Sequence, residues 1–170
     1  MMDNNKQSPE AYPNFVAEVV NLVQHHRVQA IQTVQAISNN LYWNIGELII
    51  KKQQAFGLGK SIVEQLSKDL TQKIGDGVSW SPRNLWLMMQ LVSEYSILNQ
   101  LGSELESITK KQNVKQPASL LPNLYQARSD FEMVKQLVAE VPWKHNIVIL
   151  QKVKDHQARL FYLQTTIKNR

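Results

Sequence analysis

Apolar residues recur at intervals of three and four positions along most of this 170-residue chain. Such spacing places them on one side of an α-helix, because a helix has about 3.6 residues per turn. Segments that alternate apolar and polar residues between turn residues, which would indicate β-strands, are not apparent. Glycine and proline are scarce, with six of each, and fall mostly between the periodic segments. The pattern predicts an all-α, multi-helix fold.

The composition supports one folded domain. Apolar residues make up 43% of the chain, enough to build a core. We expect residues 1–11, which are mostly polar, to be a disordered tail, and residues 12–170 to form a single helical domain. No signal peptide and no apolar run near the roughly 20 residues of a membrane span can be recognised. We therefore expect a cytoplasmic protein without a membrane partner.

The first apolar stripe begins after Pro13, a residue that suits the first turn of a helix. It continues to about Phe56, either as one long helix or as two helices joined near His25–Arg27. Gly57 and Gly59 follow and are typical of a helix C-terminus. The sequence therefore predicts a long helical segment before the first turn.

Further helices are predicted from capping and breaking signals. Prolines and lysines interrupt the pattern at 99–128, which we predict to be an irregular connection. The remaining predicted helices span Ser61 to Gly75, Ser81–Pro82 to about Tyr95, Ser129 or Asp130 to Glu140, a segment from Pro142, and a segment from near Asp155.

Residues 61–95 read as a helix, a glycine turn and a second helix, which is the order of a helix-turn-helix unit. In such a unit the N-terminal end of the second helix enters the major groove. Here that end carries Ser79, Ser81, Arg83 and Asn84. Arginine can bind guanine and asparagine adenine through two hydrogen bonds, and serine hydroxyls suit phosphate. The alternative is an ordinary helix hairpin whose caps use the same residue types.

Basic residues are concentrated at the C-terminal end. Residues 141–170 hold six lysines and arginines and one aspartate. Their net charge of +5 equals the net charge of the whole chain. A concentrated positive charge favours a polyanionic partner, although it can also be an ordinary solvated helix face. We predict DNA contacts from Lys60, Lys68 and Lys73 near the helix-turn-helix unit, and from Lys144, Lys152 and Arg159 in the basic end.

The sequence contains no recognisable catalytic site. It has no cysteine, and no Asp or Glu has a lysine two positions later, as the (Asp/Glu)-x-Lys part of many metal-dependent nucleases requires. A cryptic nuclease would depend on isolated carboxylates such as Asp130 or Glu132. The segment Gly57–Ser61 ends like a phosphate-binding loop, but Gln54 stands where that motif needs glycine. We predict a protein that is not an enzyme.

Metal binding is equally unsupported by the sequence. His25 and His26 are adjacent and point to different helix faces, whereas a zinc pair on a helix needs a spacing of about four. His145 and His156 lie eleven positions apart without a flanking carboxylate in ligand register. We therefore predict neither a metal nor another cofactor, and we leave the role of His145 open.

Four segments carry a resemblance to a known family. Residues 41–46 resemble the Leu-Tyr-Trp-x-Ile-Gly signature of the YhcG-type proteins, and residues 81–89 resemble their Ser-x-Arg-Asn-Leu-x-x-Met segment. Residues 141–146 are similar to the Ile-Pro-Trp-x-His block of that family, and residues 154–162 to its Lys-Asp-x-x-x-Arg-x-Phe-Tyr block. The segments occur in the same order and span about residues 15–168.

The resemblance implies a helical, helix-turn-helix-like DNA-binding domain of a bacterial protein. In this family a PD-(D/E)XK nuclease domain normally follows it, so we expect the chain to be the N-terminal part of such a protein, or a gene fragment. The resemblance thus implies double-stranded DNA as the partner, with any nuclease activity residing in another domain or subunit.

A second hypothesis is a protein-interaction or dimerisation module that recruits a nuclease subunit. The long N-terminal helices offer Trp43 and a wide apolar stripe that could pair with a second copy. The alternative for these residues is an intramolecular core. Structural roles are likewise expected for Trp143 and Tyr162, and Asp155 and Arg159 are spaced for a salt bridge within one helix.

Overall fold

The computed structural model describes residues 11–57, 61–75, 80–111 and 121–169, with the backbone alone at residues 11, 97–111 and 121–128. These residues form six α-helices, and within them no strand occurs, which confirms the all-α prediction. The helices are α1 (Ala11–Phe56), α2 (Ser61–Ile74), α3 (Pro82–Lys111), α4 (Leu121–Glu140), α5 (Trp143–Lys152) and α6 (His156–Lys168).

Local signals located several helix ends correctly. Gly57 and Gly75 follow α1 and α2 with φ angles of 61° and 87°, a conformation that glycine adopts without strain. Ser81 precedes α3, and its Oγ accepts a hydrogen bond from the backbone N–H of Asn84 at 3.3 Å. Asp155 caps α6 by accepting from the Ala158 amide at 2.8 Å. Ala11, the last residue of the tail predicted at 1–11, instead begins α1. The rest of that predicted tail and the predicted stop at Gly59 lie outside the described residues.

The structure decides between the two alternatives for the first helix and corrects the prediction for residues 99–128. The first segment is one helix of 46 residues, so no joint is present near His25–Arg27. The irregular connection predicted at 99–128 is wrong for most of its length, because α3 continues to Lys111 and α4 begins at Leu121. Pro122 lies in the first turn of α4, where the absence of its N–H costs no helical hydrogen bond.

Helix α1 packs against α3 at Gly46, where the two helices approach closely. A Cβ atom added to Gly46 would lie 2.5 Å from the Met88 carbonyl oxygen and 2.9 Å from the Val92 Cγ2 atom. Real Cβ atoms do not approach other atoms this closely, so a side chain at this position would separate the helices. Glycine at position 46 therefore sets the spacing of α1 and α3.

Two apolar clusters lie on either side of this contact. The first surrounds Trp43, whose ring stacks on Tyr95 at 6.5 Å between centroids and meets Phe131 edge-on at 5.9 Å. The second joins Ile49 of α1 and Val63 of α2 to the start of α3. Trp43 is only 1% exposed, so the hypothesis that it forms part of a dimerisation surface is wrong, and the alternative of a core residue is correct.

Two buried asparagines hold the junction of α4 and α5 against α1. The Nδ2 atom of Asn39 lies 3.1, 2.9 and 2.7 Å from the carbonyl oxygens of Val138, Ala139 and Val141, respectively. The Nδ2 atom of Asn146 donates to Val138 and Val141 at 2.8 and 2.9 Å. These carbonyls belong to the last turn of α4 and to Val141, which follows it, where helical partners are missing. The side-chain amides satisfy them and fix the tight turn.

We predict that Asn39→Ala lowers the free energy of unfolding by about 2 kcal/mol, because it leaves the buried Ala139 carbonyl without a donor. Urea unfolding followed by circular dichroism measures this loss. The neighbouring Asn40 is exposed, and Asn40→Ala is the matched control, with an expected change within about 0.5 kcal/mol. Equal stabilities of the two variants would contradict the assigned role.

Candidate nucleic-acid interface

The first turn of α3 presents the polar residues that the sequence singled out. Ser81 caps the helix, Pro82 occupies its first position, and the first turn contains no acidic side chain. Free backbone N–H groups and the helix dipole make such a helix start attractive to anions. Arg83 is exposed at this end and Asn84 is half-buried.

Helix α2 supports α3 through the second apolar cluster. Val63 of α2 and Leu85 and Met88 of α3 are completely buried, and Trp80, just before α3, is 5% exposed. The start of α3 is thus rigidly backed by apolar contacts, while its polar residues face outward. Ser79 and Lys60 lie outside the described residues.

A groove runs between the start of α3, helix α1 and helix α5. It encloses about 630 Å³ and is lined by polar and apolar residues from all three helices. Its lining consists of Tyr42, Ser81, Arg83, Asn84, Leu87, Trp143, Lys144, Ile147 and Val148. The structure therefore brings Lys144, from the basic C-terminal end, to the same groove as Arg83.

Trp143 connects the walls of this groove. Its indole Nε1 donates to the Asn84 Oδ1 atom at 3.0 Å, which links α5 to the first turn of α3. Its ring meets Tyr42 of α1 edge-on, with 4.9 Å between centroids. The sequence led us to expect a structural role for Trp143 but did not indicate this link, because no local pattern pairs residues so far apart in the chain.

Three of the four segments behind the family resemblance meet at this groove. Tyr42 belongs to the first segment, Arg83 and Asn84 to the second, and Trp143 and Lys144 to the third. The remaining predicted lysines lie elsewhere: Lys68 and Lys73 are exposed on α2, and Lys152 is exposed in the last turn of α5. None of these three lines the groove.

Arg159 must be removed from the predicted DNA contacts, because its side chain is occupied inside the protein. The residue is 2% exposed. Its Nε atom donates to the Val153 carbonyl at 2.7 Å and its Nη2 atom to the Leu150 carbonyl at 3.2 Å. Its Nη1 atom forms an ion pair with Glu94 of α3 at 3.0 Å. The expected pair with Asp155 gives way to this contact, since Asp155 caps α6.

The guanidinium of Arg159 fastens the turn between α5 and α6 to α3, so we predict a structural effect of its removal. Arg159→Ala should lower the free energy of unfolding by about 2 kcal/mol, since two carbonyl acceptors lose their donor. Arg159→Lys should recover only part of this loss, because an ammonium cannot reproduce the fork of donors. Chemical denaturation measures both variants.

Lys168 provides the control for this prediction, since it lies on the same helix and is exposed. Lys168→Ala should change stability by no more than about 0.5 kcal/mol. If Arg159→Ala were as stable as Lys168→Ala, the assigned structural role of Arg159 would be refuted.

Tyr95 lies beside Arg159 in the first apolar cluster. Burial raises the pKa of its hydroxyl to about 12, although the guanidinium of Arg159 opposes the shift and Glu94 adds to it. The folded protein thus holds this proton more tightly than the unfolded chain, whose tyrosine pKa is about 10. The associated stability is complete below pH 10 and is lost as the pH rises towards 12.

We expect the stability of the protein to fall by up to about 3 kcal/mol over this range, since one pKa unit corresponds to about 1.4 kcal/mol. Tyr95→Phe removes the titrating hydroxyl and leaves the other alkaline titrations in place. Urea unfolding of both proteins between pH 9 and 12 tests this prediction. Parallel pH profiles would show that the Tyr95 hydroxyl does not contribute.

The described residues contain no cluster of three His, Cys, Asp or Glu side chains that could hold a metal ion. His145 is exposed on α5, and His156 is half-buried at the start of α6. Over the same residues, no helix is both long and apolar enough to cross a membrane.

The described residues define an all-α domain of six helices, in which the long first helix packs mainly against α3 and α4. This chain belongs to the DUF1016 N-terminal domain family, the YhcG N-terminal family, whose model matches residues 18–116 and 97–170. The match is to the N-terminal domain, and no nuclease domain is shown in this chain. No curated protein and no solved structure matches it.

Proposed function

We propose that this chain is a non-catalytic module that binds double-stranded DNA with the start of α3. One observation carries the proposal. Arg83 and Lys144, from distant parts of the chain, line one groove beside the N-terminus of α3, whose first turn contains no acidic side chain. Both side chains are exposed. Positive charge around a helix start is the arrangement that suits a phosphate backbone.

The roles within this proposal follow from geometry. Arg83 is the candidate for reading a guanine edge in the major groove. An asparagine that reads adenine uses both atoms of its amide, and the Asn84 oxygen already accepts from Trp143. We therefore assign Asn84 to positioning α5 beside α3. Lys144 and the Ser81 end of the helix would contact phosphates.

The outlying lysines would extend the backbone contacts. Lys68, Lys73 and Lys152 are exposed and carry the charge that non-specific DNA affinity needs. Lys60 and Ser79 are proposed as DNA contacts from their positions in the sequence alone. Arg159 contributes nothing to DNA binding, since its charge is paired inside the protein.

Binding of this kind is strongly salt-dependent. Each phosphate neutralised by a lysine or arginine releases counterions, which gives a slope of about −0.9 in log affinity against log salt concentration. Fluorescence anisotropy with a labelled duplex at several salt concentrations therefore counts the charged contacts.

We predict that Arg83→Ala weakens binding to a preferred duplex by about 1–3 kcal/mol and reduces sequence preference. Lys144→Ala should weaken all duplexes alike and reduce the salt slope by about one. Lys51→Ala is the matched control, because Lys51 is exposed on α1 and does not line the groove. It should leave both quantities unchanged.

Two results would overturn this proposal. One is the absence of duplex binding at low salt. The other is a loss of affinity in the Lys51→Ala control equal to that in Arg83→Ala and Lys144→Ala. A nuclease assay with magnesium or manganese tests the non-catalytic part, and cleavage abolished by Asp130→Ala or Glu132→Ala would contradict it.

A protein-interaction module is the second candidate function. It is favoured by the first half of α1, where every residue from Tyr12 to Val34 is exposed although many are apolar. A protein that does not bind DNA but associates with a nuclease subunit would support this function over the first.

A further inference from the structure

The first half of α1 extends beyond the helices that cover its second half. Residues 12–34, called the arm here, are exposed throughout, and they correspond to about 35 Å of helix. Helices in proteins are stabilised mainly by packing one face against other elements, rather than by intrinsic helix propensity. In the arm, the large apolar side chains are exposed, and only polar residues at its end, such as Gln29 and Thr33, lie near α4 and α6.

An apolar stripe follows the arm and continues along the packed half of α1. Its large side chains are between 40% and 72% exposed. The stripe is defined by Tyr12, Val16, Val19, Val23, Ala30, Val34, Ile37 and Leu41. Only two side chains from Ala11 to Gly46, those of Glu18 and Arg27, carry a charge. A solvated helix face would carry many more.

The stripe lies opposite the face that α1 buries in its own domain. The buried side is marked by Asn39, Trp43 and Gly46. At about 100° per residue, the centre of the stripe is about 180° from the centre of this buried side. The core formed by the described residues therefore lies on the other side of α1 from the stripe.

The order of residues in the stripe favours a second copy of the same chain as its partner. Its successive spacings are four, three and four, then seven, then four, three and four, so the pattern reads the same in both directions. An antiparallel pair of identical helices with its two-fold axis between residues 26 and 27 thus places apolar residues opposite each other. Tyr12 meets Leu41, Val16 meets Ile37, Val19 meets Val34 and Val23 meets Ala30.

We propose that the chain forms a homodimer in which two α1 stripes pack antiparallel in this register. The stripe is about 45 Å long and is flanked by the exposed Phe15, Leu22 and Ile31. Its extent suits an interface of the standard size of about 800 Å² per partner. Glu18 lies away from the stripe, and Arg27, about 50° from its centre, is the one charged side chain that each copy would place beside the two-fold axis. This association is independent of the proposed DNA contacts.

Sedimentation of the full chain tests the dimer directly. The unaltered protein should sediment as a dimer at micromolar concentration. Val19→Glu places a charge in the stripe and should weaken dimerisation at least tenfold. Asn21→Glu introduces the same side chain on the opposite, exposed face of the arm and should leave the dimer intact. Circular dichroism checks that both variants remain helical.

A compensating variant tests the antiparallel register. Val19→Glu combined with Val34→Lys should restore the dimer, because the two new charges face each other across the interface. In a parallel pair each would face its own copy, and dimerisation would weaken further. Failure of this combination to recover dimerisation would overturn the register.

Cross-linking supplies a second measurement, since the chain has no cysteine of its own. Mixed Val23→Cys and Ala30→Cys proteins should form a disulfide-linked heterodimer under oxidation, whereas each variant alone should cross-link poorly. A monomeric unaltered protein, a dimer unaffected by Val19→Glu, or efficient cross-linking of each single variant alone would overturn the proposal.

Discussion

The close approach of α1 and α3 at Gly46 is the contact on which the rest of the domain depends. A Cβ atom at this position would collide with the Met88 carbonyl, so the spacing of the helices requires glycine. On one side of the contact Trp43 organises the cluster that includes α4, α5 and α6, and on the other side Ile49 meets α2. Both clusters, and the groove beside Tyr42, inherit their geometry from this crossing.

Helix ends were predictable because their causes are local. Ser81 and Asp155 accept hydrogen bonds from amides three residues further on, so the signal lies within one turn. The error at 99–128 has a physical reason as well. Pro122 was interpreted as a helix breaker, but in the first turn of α4 a proline removes no helical hydrogen bond. Proline alone does not distinguish a loop from a helix start.

The candidate site was only partly predictable because charge patterns carry no information on burial. Arg159 and Lys144 belong to the same basic segment, yet one is paired with Glu94 inside the protein and the other lines an exposed groove. The Trp143 to Asn84 hydrogen bond depends on two helices far apart in the sequence. The apolar periodicity of α1 was visible, but only the fold shows that the helix has two apolar faces.

The two proposals together restrict how a dimer would meet DNA. Tyr42 lines the candidate groove, and in an α1 pair centred between residues 26 and 27 the two copies of Tyr42 lie about 45 Å apart along the helix axis. Helix-turn-helix dimers read half-sites separated by about 34–36 Å, or one turn of DNA, or by multiples of this distance. This axial distance is the smallest separation that the two copies of Tyr42 can have. It already exceeds the distance between half-sites that lie one turn of DNA from each other. A dimer of this kind would instead bind two more distant sites, or two separate duplexes.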